Sequence, residues 1–203
     1  MDDKPLYSLW RNNDIYAGFW IRFAAGLLDL LILLPFGGLI IYINSFNRFN
    51  CIYLYVPQFL IMIFYQVYLV KRYGGTLGKL AVGIKVIKLN GDAVDWEAAI
   101  YRYIVSIVLS IISFMITVSS VLSISDEQFM SVPLIQRNGE LLKGNPVYNY
   151  YMLISFLWVL SEIIVLLASD KKRAIHDLIG DTVVIREEYL KVLINHQKTT
   201  VSE

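Results

Sequence analysis

Long apolar runs separated by short polar stretches organise this chain, and four of them are long enough to cross a bilayer. About 20 mainly apolar residues span a hydrocarbon core of roughly 30 Å. The runs fall at about residues 19–43, 52–70, 99–123 and 148–168. The first would extend about 37 Å at 1.5 Å per residue, so it must tilt, kink or project. Pro35, followed by Gly37 and Gly38, is a candidate kink. Tyr and Trp gather at the ends of the runs: Tyr16 and Trp20, Tyr53 and Tyr55, Tyr101 and Tyr103, then Tyr148, Tyr150 and Tyr151. Aromatic belts at headgroup level have this distribution.

The polar stretches carry shorter patterns. GIKVIKL alternates apolar with basic residues, Asn90-Gly91 follows, and then DAVDW. Asn-Gly between such runs predicts a hairpin. A third β-branched run, DTVVIR at 181–186, completes a small sheet packed on the bilayer face. Ahead of it, GGTLGKLAVG predicts an interfacial turn or short helix. Between the third and fourth spans, Asn138-Gly139 predicts a second hairpin. EEYLKVLI, after Arg186, reads as the start of a helix that frays through HQKTTVSE. The predicted fold is an all-α membrane protein, a bundle of four transmembrane helices with a small cytoplasmic β-hairpin or sheet. Residues 1–18 form an N-terminal segment, 19–187 the membrane domain and 188–203 a tail.

Charge sets the orientation. Only 17% of residues are charged, against about 25% in soluble domains, and the charges avoid the apolar runs. Thirteen Lys and Arg lie in the N-terminal segment, the 71–98 loop and the tail, against three in the other two loops. The positive-inside rule then places both termini in the cytoplasm, as an even number of spans requires. The expected location is the cell membrane, multi-pass. The early charges are acidic and the first apolar run starts late, so no cleaved signal peptide is expected. Cys51 is the single cysteine, which excludes an intrachain disulfide and reads as a packing residue near a helix end.

A few charges break the apolar runs. Arg22 and Asp29 are seven residues apart, on one helix face two turns apart. The rise between them, about 10 Å, is long for a direct pair, so each should also meet other helices. Arg102 early in the third span and Glu162 in the fourth belong to the same cytoplasmic half. Such a cluster is either a cation or proton site or a neutralised network that fixes helix register. Arg173, His176 and Asp177 lie within one turn after the fourth span. They suit acid–base chemistry, or a hydrogen-bond network tying tail to loop. A zinc site needs more ligands than the sequence supplies, and no metal or cofactor is expected. GGTLGK fails as a phosphate loop, because its spacing is short and Leu80 stands where Ser or Thr belongs. No enzymatic motif appears, and no enzyme is expected.

Three blocks together resemble the RDD family of small membrane proteins, named for an Arg-Asp-Asp pattern. In AGFWIRFAAGLLDLLILL, Arg22 and Asp29 fall where the family has its first Arg and Asp. GGTLGKLAVGIKVIKLNGDAVDWEAAIYR is similar to the family's T-x-GK, G-x-x-V, loop glycine and A-x-x-R pattern, carried here by Thr76, Gly78, Lys79, Gly83, Gly91 and Arg102. LWVLSEIIVLLASDKKRAIHDLIGDTVVI is similar to its R-x-x-HD-x-x-x-x-T-V-V ending, with Arg173, His176, Asp177 and Thr182. Glu162 is outside the family pattern. The resemblance implies the membrane fold far more firmly than a chemistry. It points either to a non-catalytic scaffold or assembly factor acting through the cytoplasmic face, or to monovalent cation/proton exchange at the Arg/Asp site. Expected partners are the lipid bilayer, anionic headgroups at the cytoplasmic face, and a second copy or another membrane protein, with no nucleic acid.

Overall fold

The computed structural model describes residues 15–134 and 136–190. Helix α1 runs Phe19–Asn44, with Pro35 inside it. A second helical stretch follows as α2 (Asn50–Tyr53), α3 (Tyr55–Ile63), a π-helical turn at Phe64–Tyr68, and α4 (Leu69–Tyr73). Then come α5 (Leu77–Ala81), β1 (Ile84–Lys88), α6 (Trp96–Ser123), α7 (Asp126–Ser131), α8 (Arg137–Lys143), α9 (Pro146–Ala168), α10 (Ile175–Ile179) and β2 (Thr182–Arg186). Among the described residues, four helices are long and apolar enough to cross a membrane: Phe19–Asn44, Asn50–Tyr73, Trp96–Ser123 and Pro146–Ala168. They contain the four predicted runs, and two of them begin ahead of their run at a start signal of their own. Asp95 accepts from the Ala98 N–H at 2.8 Å and so starts α6 ahead of its apolar run. Asn145 accepts from the Val147 N–H at 3.0 Å, and Pro146 occupies the first helical position of α9.

The chain divides into two compact units. The first comprises Met1–Leu30, Tyr65–Tyr103 and Ser161–Glu203. Its described residues begin at Ile15 and end at Leu190. Its centre is an antiparallel pair, β1 with β2, in the register Ile84↔Arg186 to Lys88↔Thr182. Thr182–Ile185 is buried throughout, while β1 keeps Lys85 and Lys88 partly outside. Residues ahead of α1 join the edge: Tyr16 bridges Ile185, and the Ala17 N–H donates to the Val184 carbonyl at 2.9 Å. Ile15, Tyr16, Ile87, Val183 and Ile185 form the core beneath.

The hairpin expected around Asn90-Gly91 is corrected. The turn itself exists: Gly91 has φ +90°, and its N–H donates to the Lys88 carbonyl. DAVDW, however, contributes only the single bridge Ala93↔Ile87 before Asp95 starts α6. The true partner of β1 is β2, nearly a hundred positions later, because that run is apolar on both faces and gains most from burial. The segment before β1 forms the expected short helix, α5. Glu187–Leu190 is helical, as the EEYLKVLI reading requires. The expected continuation of that helix, the fraying expected through HQKTTVSE and the 1–14 segment lie outside the described residues.

The second unit comprises Leu31–Phe64 and Ile104–Leu160. The hairpin expected at Asn138-Gly139 is also corrected, since both residues lie inside α8. The segment is held there by tertiary contacts. Leu141 packs with Cys51, Val121 and Phe129, and the Arg137 guanidinium donates to the carbonyls of Val132, Met130 and Ser45. Cys51 is buried in that cluster, near a helix end as read from the sequence. Ser125 starts α7 with a capping box closed by Gln128.

Candidate functional site

The charged site positions singled out from the sequence lie in the first unit, where they gather in three nodes. The first is built on Asp177 in α10, a residue with no solvent exposure. Arg22 donates from Nη1 to its Oδ2 at 2.6 Å, and Arg102 donates from Nη1 to its Oδ1. The Ala174 N–H donates to Oδ2 at 3.0 Å, so the same carboxylate caps its own short helix. Each arginine is held further. Arg22 donates to the carbonyls of Ala17 at 2.8 Å and Lys172 at 2.5 Å. Arg102 donates to the Thr182 hydroxyl at 2.6 Å. Arg173 donates to the carbonyls of Thr182 and Asp177 at 3.0 and 3.1 Å. One carboxylate thus ties together the start of α1, the start of α6, α10 and β2.

Burial alone would push the Asp177 carboxyl up. Arg102, then Arg22 and His176, outweigh it and hold the group well below the usual carboxylate range. The close approach of α6 depends on Gly180. A Cβ there would stand 2.9 Å from the Ala98 carbonyl and 2.5 Å from the Arg102 side chain.

The second node surrounds Asp29. Tyr65 donates its hydroxyl to Oδ1 at 2.5 Å, Thr76 donates to Oδ2 at 2.6 Å, and the Gly78 N–H donates to Oδ1 at 2.6 Å. Tyr65 belongs to the π-helical turn, a departure from α geometry that often marks functional positions. Gly78 is needed for contact: a Cβ would collide with the Ala25 carbonyl and lie 2.7 Å from Asp29 Oδ1. Ala25 is the buried residue of α1. Arg22, Ala25 and Asp29, spaced i, i+3, i+7, therefore form one inward stripe on an otherwise exposed helix.

The third node is Glu162 with His176. The imidazole Nδ1 lies 2.7 Å from Glu162 Oε2, and the His176 N–H donates to Oε1 at 3.1 Å. Burial pulls the His176 pKa down, and Arg102 acts in the same direction, against the attraction of Asp177 and Glu162. Lys79 is half-buried and makes no hydrogen bond or ion pair among the described residues. Burial, reinforced by Arg102 and Arg22, pushes its amine down to about 8, against Asp177 and Asp29.

Asp29 therefore lies apart from Arg22, Arg102 and Glu162, which are linked through Asp177 and His176, the His176 Nε2 standing 3.5 Å from Asp177 Oδ1. The two arginines converge on Asp177, Asp29 faces neutral donors, and Glu162 takes His176. Thr76, Gly78, Arg173, His176, Asp177 and Thr182 are all in the nodes, while Gly83 and Gly91 supply positive φ at turns flanking β1. Sequence reasoning missed Tyr65, Ala25 and Gly180. A small residue three positions after Arg22 was a readable signal for Ala25. Tyr65 sits among other aromatics and carried none. Among the described residues, no group of three His, Cys, Asp or Glu is placed to hold a metal.

The sequence profile of the RDD family matches residues 16–181. The chain is also similar to the "Uncharacterized membrane protein YteJ" of Bacillus subtilis (strain 168), at 29% identity over 99 residues. That match covers 44% of this chain and 60% of the relative's length. No solved structure gives a significant match.

Proposed function

The chain belongs to the RDD family of membrane proteins, and from that premise we propose that it is a non-catalytic scaffold or assembly factor. Its working surface is the face built by β1, β2, α5 and α10. Both termini and this face are cytoplasmic in this reading, and the membrane is the cell membrane. Basic residues around the face meet anionic headgroups, at about 1 kcal/mol per Lys or Arg near the surface. A second copy or another membrane protein is the partner.

One observation carries the reading: the family's Arg, Asp and Asp side chains are engaged in holding this face to the helix ends. Asp177 is fully buried between two arginines, and Asp29 is ringed by three donors. A carboxylate so saturated suits a fixed joint better than a site that loads and releases ions. The second reading, monovalent cation/proton exchange, draws on the Glu162–His176 contact, where two titratable groups meet at 2.7 Å.

Purified protein in liposomes with a trapped pH dye separates the two. The scaffold reading expects no proton movement on adding Na⁺, K⁺ or Li⁺. Cation-dependent movement that disappears in a folded Asp29→Asn or Glu162→Gln protein would replace it with the exchanger.

A further inference from the structure

The second unit holds an open cavity of about 320 Å³. A single water needs only about 10–15 Å³ of free space, so the cavity takes a molecule of several heavy atoms. Ile41 and Leu141 supply part of its apolar wall, and no lining residue is charged. The polar lining includes three carboxamides, Asn44, Gln58 and Asn138, with the hydroxyls of Tyr55, Ser113 and Thr117. Two of the carboxamides are unsatisfied. Gln58 is exposed in the middle of a helix apolar enough to cross a membrane, and its side chain has no hydrogen bond among the described residues. Asn44 Oδ1 is buried without a partner. Turning its terminal amide exchanges oxygen for nitrogen, so the group can present either to a guest. Asn138 accepts from the Cys51 thiol at 3.5 Å and keeps its NH₂ for another acceptor. Thr117 donates to the Ser113 carbonyl at 2.9 Å and keeps a lone pair.

Unpaired amides in apolar surroundings cost free energy, and a ligand that both donates and accepts recovers it. A charged guest would lose its hydration with no counter-charge, and a hydrocarbon guest would leave the amides unpaired. We propose that this cavity is a binding site for a small uncharged hydrogen-bonding molecule of the primary-amide or polyol class. The proposal is independent of the scaffold reading. It combines a mostly apolar wall with a few convergent polar groups, the usual make-up of a small-molecule site.

Cys51 lines the cavity and is the chain's single cysteine, so it reports occupancy. The full chain in nanodiscs is treated with neutral methyl methanethiosulfonate, with acetamide or glycerol as probe. The reaction should slow saturably, about tenfold at ten times the half-saturating concentration. Gln58→Leu, compared with its own bare rate, should lose the protection. Absence of protection, equal protection in Gln58→Leu, or protection by NaCl or KCl overturns the proposal. If the thiol of the folded protein does not react, thermal unfolding with the same probes decides. A rise in Tm larger in wild type than in Gln58→Leu supports the site, and an equal or absent rise overturns it.

Discussion

Arg22 and Asp177 are 155 positions apart in the chain and pair at 2.6 Å, with Asp177 fully buried. The pair, shared with Arg102, closes the first unit, joining residues near its beginning to residues near its end. The aspartate nearer in sequence, Asp29, binds Tyr65, Thr76 and Gly78 instead.

Replacing Asp177 by Asn leaves two arginines facing a neutral amide in a dry environment. Removing one partner of a buried pair costs about 3–5 kcal/mol. Asp177→Asn should lower Tm and protein yield, measured by thermal unfolding in micelles. A Tm equal to wild type would show that the node does not hold the unit together.

Asp29→Asn keeps the shape but turns one acceptor into a donor facing three donors. The unsatisfied groups should cost about 1–3 kcal/mol. Thr76→Val removes one donor and should cost less. In the double variant the two losses should not add, since both residues belong to one contact. Strict additivity in a double-mutant cycle would contradict the hydrogen bond.

Gly78→Ala should destabilise by about 1–3 kcal/mol through overpacking against the Ala25 carbonyl and the Asp29 carboxylate. Gly83→Ala meets no neighbour, but its φ of +71° is unfavourable for an L side chain. Its cost should be about 1–2 kcal/mol, from the backbone alone. Gly78→Ala should also weaken the hold on Asp29, and Gly83→Ala should not. Hydrogen exchange at α5 distinguishes them.

Acid should weaken the protein in two windows. The pKa of His176 is below its unfolded value of about 6.5. Its contribution is therefore complete above that pH and is lost as pH falls towards the native value. His176→Gln should flatten the stability curve just below pH 6.5. Asp177 follows the same sign lower down: its contribution is complete above about 3.9 and fades as pH falls below that. Denaturant midpoints measured across this range check both, and an unchanged curve in His176→Gln would refute the first.

Lys79 should deprotonate more easily than an ordinary lysine. Its acetylation should have a midpoint near pH 8, against about 10.4 for an ordinary lysine. Between those values the unfolded chain binds the extra proton, so stability should rise with pH and Lys79→Met should remove the rise. Residue-resolved mass spectrometry of acetylated protein gives the midpoint directly.

The four spans were legible from sequence because length and apolarity are local, additive properties of a run, and the bilayer tests little else. The i, i+7 placement of Arg22 and Asp29 was legible for the same reason, as helix geometry alone puts them on one face. The family blocks also located Thr76, Gly78, Asp177 and Thr182. Pairing was not legible. Asn-Gly announced a turn at 90–91 and the turn formed, and the Thr182–Arg186 run joined the sheet as expected, but it took the place beside β1 that the hairpin reading gave to DAVDW. The second Asn-Gly entered a helix, because Leu141 and Arg137 had burial and carbonyls to reach there. Arg22 passed over the aspartate on its own helix because about 10 Å of rise separates them, whereas α10 brings Asp177 within hydrogen-bonding distance. The sequence by itself determined the four spans, their membrane character and most of the chemistry-bearing residues. Only the tertiary structure decided which of those residues meet, because a contact between distant segments depends on the packing of every element between them.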